Sequence, residues 1–175
     1  MRRILTLSLA STALLLVLGD LAAAQQIKRA EKLLGGNENP PVVTDATGNF
    51  RAELFADRIE YRLRYDVAAP DSDVTQAHLH IGNPGNNGNI AAFLCSNAPG
   101  ATPACPPSPG VVEGEIVAAD VREVTDVDDP TVTILEAEDL DGLARLIRQG
   151  SVYANVHSED HPAGEIRGQL SPRIR

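Results

Sequence analysis

Tryptophan is absent from this chain of 175 residues, and tyrosine and phenylalanine occur only three times each. So few aromatic rings exclude a carbohydrate-stacking platform. Cysteine occurs twice, as Cys95 and Cys105, without C-x-x-C spacing, which excludes dithiol redox chemistry. Histidine occurs four times. Past the first two dozen residues no apolar run approaches the ~20 residues of a membrane-spanning helix. Positive charge is also short: 15 Lys and Arg stand against 24 Asp and Glu, a net of −9. An acidic surface repels phosphate backbones and anionic lipid, which argues against nucleic acid or anionic membrane as partners.

What is present begins with a targeting pattern. Arg2 and Arg3 precede an apolar run from Ile4 to Gly19, and Ala22, Ala23 and Ala24 supply small residues for cleavage. The pattern predicts a signal peptide over residues 1–24, cut before Gln25, and a secreted or periplasmic mature chain with no membrane span. Loss of Arg2, Arg3 and Asp20 leaves 13 basic and 23 acidic residues, a net of −10. Residues 25–175 are an ordinary length for one domain with its own core. In an exported protein the two cysteines predict a disulfide, Cys95 to Cys105, closing the loop from Ser96 to Ala104.

The mature chain reads as a series of short strands. Lys32 to Pro41 is a first strand ended by prolines, and Gly48 to Ala56 places Phe50, Ala52 and Leu54 on one face. From Arg58 to Val67, Ile59, Tyr61, Leu63, Tyr65 and Val67 alternate with charged residues, the pattern of a half-buried antiparallel strand with a solvated, charge-paired outer face. Val74 to Ile81, Asn89 to Cys95, Val111 to Val117 and Thr131 to Leu135 continue the series. The Gly- and Asn-rich segment from Gly82 to Gly88 predicts a shaped loop. It precedes a strand and lacks lysine, which argues against a phosphate cradle. The acidic loop from Asp126 to Pro130 lacks calcium-loop spacing and reads as solvated. One helix is predicted over Asp139 to Gln149, with Asp139 as cap, Leu140, Leu143 and Ile147 on one face, and Gly150 ending it. The fold class is therefore all-β: a single antiparallel β-sandwich or Greek-key barrel, with one short helix before the penultimate strand.

All four histidines fall in two stretches. In Ala77 to Ile81, residues Ala77, Leu79 and Ile81 face one way, and His78 and His80 the other. In Val152 to His157, Val152, Ala154 and Val156 face one way, and Tyr153, Asn155 and His157 the other. Ser158 to Ala163, with His161, forms a turn-rich connection to a second alternating run, Gly164 to Leu170. The two runs predict a β-hairpin with an apolar underside and a polar, ionisable top.

Leu33 to Pro41 with Gly48, Ala77 to His80 with Gly88 to Ile90, Gly150 to His157, and Pro162 to Leu170 resemble the CHRD domain, named from chordin and also found in bacterial secreted proteins. The resemblance spans residues 32–170. It implies an immunoglobulin-like or Greek-key sandwich, and it picks out His80, His157, Gly164, Glu165, Arg167 and Gly168 as motif residues. It implies no activity. In chordin the domain accompanies cysteine-rich, growth-factor-binding modules that are absent here. The segment from Val121 to Glu138 departs from the family pattern.

Two functions follow. One is a structural or binding module for an extracellular or envelope ligand. His80 and His157 then hydrogen-bond each other, backbone or Glu165, and Arg167 pairs with a carboxylate. The other is a single metal site for one copper or zinc ion. His78 and His80, at i and i+2, share a strand face, and His157 and His161 complete the set, with Glu165 beside it. That reading is loosely similar to copper/zinc superoxide dismutase, but four histidines are too few for its two-metal set. Enzyme chemistry is not expected, because Ser158 and Asp160 lie too close in sequence to His157 and His161 to form a hydrolase triad.

Overall fold

The structure, a computed structural model, describes residues 26–67, 73–101 and 103–172. The predicted signal peptide lies outside the described residues. The strands are β1 (Gln26–Leu34), β2 (Thr47–Leu54), β3 (Ile59–Asp66), β4 (Val74–Ile81), β5 (Ile90–Ser96), β6 (Gly110–Ile116), β7 (Val124–Thr125), β8 (Thr133–Leu135), β9 (Val152–Ser158), β10 (Ile166–Gln169) and β11 (Ser171–Pro172). The helix α1 (Leu140–Gln149) leads into β9.

Eight strands form one antiparallel path in the order β5-β4-β9-β10-β1-β2-β3-β6, with β11 paired to β1. The sheet curls into a nearly closed barrel. The end strand β5 is reached across the gap by a side chain of β3 and by the chain after β6. The Tyr61 hydroxyl donates to the Leu94 carbonyl at 2.6 Å, and the Arg122 amide donates to Ala91 O at 2.9 Å. These bonds occupy edge carbonyls that an open sheet would leave for another chain.

The alternation of β3 works as its sequence requires. Ile59, Leu63 and Tyr65 are fully buried and join one continuous core with Phe50, Leu79, Val156 and Ile166. The intervening arginines stay out, and Arg62 meets Glu113 of β6 at 2.8 Å, both more than half exposed. Such a pair contributes little to stability. In α1, Leu140, Leu143, Ala144 and Ile147 turn to the core, Asp139 accepts from the Gly142 amide at 2.8 Å, and Gly150 terminates the helix. Cys95 and Cys105 are joined, and Cys95 is fully buried at the end of β5. The bond points to an oxidising, extracytoplasmic compartment. No helix among the described residues is long and apolar enough to cross a membrane.

Three features differ from the sequence reading or add to it. The first strand begins at Gln26, six residues earlier than expected, because its Lys- and Arg-containing half has no clean two-residue period. Backbone pairing to β2 on one side and to β10 and β11 on the other holds it instead, with a register shift between Ala30 and Leu33. The departing segment contributes a small β7–β8 ribbon that buries Val124 and Leu135 and exposes Val127, Val132 and Ile134. The polar top of the β9–β10 hairpin is not a surface: all seven residues of β9 are buried. In the acidic loop, Asp126 Oδ1 accepts from the Asp128 and Asp129 amides, an Asx turn within a solvent-exposed segment.

Candidate metal centre

Strand order creates the site. β4 lies between β5 and β9, so the two histidine stretches become neighbours although 77 residues separate His80 from His157. Register then sets the geometry. His78 lies opposite Asn155, His80 opposite Tyr153, and His157 opposite Gln76, one diagonal step from His78. Diagonal partners on one sheet face are within reach of ring side chains. The His78 ring is the middle member, with centroids 5.4 Å from His80 and 4.9 Å from His157, while His80 and His157 are 6.5 Å apart.

Ring nitrogens of His78, His80 and His157 all lie within 4.8 Å of one another. The three residues are only 1%, 9% and 7% exposed. His80 Nδ1 is 2.9 Å from the Gly88 carbonyl, and His157 Nδ1 is 3.0 Å from the Pro162 carbonyl. A carbonyl only accepts, so both Nδ1 atoms carry the proton and both Nε2 atoms present a bare lone pair. Those two Nε2 atoms, and both nitrogens of His78, are buried without a hydrogen-bond partner. Burial holds all three imidazoles neutral. It pushes His78 down to about 3, aided by His157, His80 and Arg122, and lowers His157. His80 falls to about 4, chiefly by burial, against the opposing pull of the Gly88 bond.

The fourth histidine is not in the group. His161 lies half-buried on the turn after β9, its amide donating to Ser158 Oγ at 3.2 Å. Glu165 bonds no histidine: its Oε1 accepts from Thr44 at 2.7 Å, and its Oε2 is buried without a partner. Among the described residues Arg167 forms no ion pair of the kind expected. Its guanidinium donates to Asn87 Oδ1 at 3.1 Å and Asn86 O at 2.9 Å, and lies 3.9 Å from the Tyr153 ring centre. Tyr153 in turn stacks on His80, with centroids 4.9 Å apart and planes within 3°. The column Arg167, Tyr153, His80 clamps the Gly82 to Gly88 loop over the site, and Gly88 completes it by donating its amide to the Tyr153 hydroxyl. Only glycine fits at position 88, where a Cβ would fall 1.6 Å from the Ile81 carbonyl oxygen. Gly168 has a similar role under β1, with Lys32 O 2.7 Å from its missing Cβ.

Sequence reasoning missed several residues. Glu38 accepts from Asn155 Nδ2, 2.6 Å away, and desolvation raises its carboxyl to about 7 against the pull of Arg167 and Asn155. Gly164 makes room for this pair; its φ is 126°, and a Cβ there would lie 2.8 Å from Asn155 Nδ2. Glu38 lies within the Leu33 to Pro41 stretch that carries the family resemblance, which was the available signal. Arg122, 5.5 Å from the Phe93 ring that meets His78 edge-on, had none.

The four stretches that carry the resemblance thus meet in one layer on the outer face of β4, β9 and β10. No curated protein and no solved structure matches the chain. A family model, CHRD domain, matches residues 30–170. The chain belongs to the CHRD-domain family.

Proposed function

We propose that this protein is an extracytoplasmic CHRD-domain protein that holds one transition-metal ion, copper or zinc, on His78, His80 and His157. One observation carries the reading: buried lone pairs of His80 and His157 converge on an imidazole, His78, that bonds nothing. An unmade hydrogen bond in a buried site costs about 1–3 kcal/mol. A structural histidine would be placed to avoid that cost, and three at one spot would be spread apart. The Nδ1–H bonds to Gly88 and Pro162 are the kind of outer contacts that fix a ligand's tautomer and ring orientation. Ligand bonds of ~2.0–2.1 Å keep two donors within about 4 Å of each other. An ion therefore draws the rings in from their 4.8 Å limit by small side-chain rotations. The polar layer around the triad then serves to hold it: Tyr153, Arg167 and the Asn loop on one side, the Pro162 turn on the other.

The test is metal analysis of the mature protein purified without a histidine tag, followed by zinc and copper titration of wild type and His78→Ala. One equivalent bound by wild type and none by the variant is the expected result. No binding by wild type would return the protein to a structural module, with His80 and His157 serving only to pin their loops.

A further inference from the structure

We infer that the triad is built for a monovalent soft cation, Cu(I), held by three nitrogens with no water. This rests on the metal reading above and adds the charge and coordination number of the ion.

The first ground is charge. The three donors are neutral imidazoles, and the group contains no thiolate or carboxylate. Cations flank the rings: Arg122 lies over the Phe93 ring that meets His78, and Arg167 over the Tyr153 ring that stacks on His80. Glu165 faces Thr44 instead, and Glu38 is turned to Asn155. An ion held by these three rings has no anionic ligand. The cost of removing an ion from water rises as the square of its charge, so a divalent ion suffers about four times the penalty of a monovalent one. Divalent sites ordinarily recover that cost with anionic ligands or with bound water that can lose a proton.

The second ground is coordination. Zn(II) with three protein ligands takes a solvent molecule as its fourth. Here the unbonded nitrogens of all three histidines are shielded from solvent. Phe93 closes one side of His78 at 4.6 Å, and the Tyr153 ring covers His80. Cu(II) favours a tetragonal set of four or more donors, which two adjacent strands contributing three rings do not supply. Cu(I) is d10, has no such preference and is satisfied by three nitrogens in a plane. The arrangement suits sequestration or transfer of reduced copper and leaves no place for a metal-bound nucleophilic water.

The experiment uses metal-free, tag-free protein under anaerobic conditions. Cu(I) is offered in competition with bicinchoninate, and Zn(II) in competition with a chromophoric zinc chelator. X-ray absorption of the copper form follows. The expected result is one Cu(I) per chain, bound at least ~100-fold tighter than Zn(II), with three nitrogen neighbours and no oxygen. His78→Ala and His78→Phe lose that affinity at least 100-fold while keeping the wild-type circular dichroism, and His161→Ala keeps it. Zn(II) bound as tightly as Cu(I), or a fourth oxygen ligand on copper, overturns this inference and leaves the metal site standing. Binding of neither ion removes both.

Discussion

Replacing His78 with phenylalanine should stabilise the metal-free protein. His78 is 1% exposed, and neither ring nitrogen has a partner. Each unmade bond costs about 1–3 kcal/mol, one for the N–H and one for the lone pair. Phenylalanine keeps a flat ring against Phe93 and removes both polar atoms. Its extra volume costs back about 1 kcal/mol through overpacking. The net expectation is a gain of about 1–5 kcal/mol at pH 7. For a urea slope of about 1–3 kcal/mol/M, the midpoint rises by about 1 M. The assay is urea denaturation with the disulfide intact and a chelator present. Acid should widen the gap. Burial holds the His78 pKa at about 3, below its value in the unfolded chain. Between those two values the unfolded state binds the extra proton, so wild-type stability rises with pH and is lost as pH falls. The variant lacks that titration, so its advantage should grow by about 1.4 kcal/mol per pH unit below ~6.5. With saturating metal the order reverses, because only wild type gains binding free energy. A metal-free variant less stable than wild type by more than about 1 kcal/mol would refute the reasoning. It would mean that His78 is a satisfied structural residue.

Glu38 carries the opposite sign. Its carboxyl is raised to about 7, so its contribution is full below its unfolded value of 4.5 and is lost as pH rises through 7. Glu38→Gln should therefore look better relative to wild type at pH 8 than at pH 5 in chemical denaturation, and an unchanged difference would contradict that shift. Intact mass of the exported protein should be two protons below the reduced form, and Cys95→Ser should cost roughly 2–3 kcal/mol for a bond spanning 10 residues; two free thiols in native protein would sink the pairing. Leu79→Ala, at a fully buried position, should cost about 2–5 kcal/mol, whereas Arg62→Ala should change stability by less than about 0.5 kcal/mol. Equal costs at the two sites would show that their faces have been misread.

Local pattern was enough for β3 and for the helix. The alternation of Ile59, Tyr61, Leu63 and Tyr65 against charged neighbours settles which face of β3 is buried, because a strand has period two and water solvates only one class of side chain. Asp139, the Leu140, Leu143 and Ile147 stripe, and Gly150 settle the helix for the same kind of reason. The cysteine pair was legible from its number and context, and His78 and His80 were marked as a same-face pair. Tertiary structure decided the rest. Sequence spacing cannot say that β4 lies beside β9, since backbone hydrogen bonds are alike for every pairing of strands. The pairing alone selects His157 and leaves His161 out. Nor could periodicity show that the polar face of β9 is buried, because the cover comes from loops distant in sequence: Glu38 reaches Asn155 across 117 residues, and Arg167 reaches the Asn86–Asn87 loop across 80. That cover turns four ring nitrogens from solvated groups into unbonded ones. Burial without partners is a property of the assembled layer, and the proposed metal site rests on it.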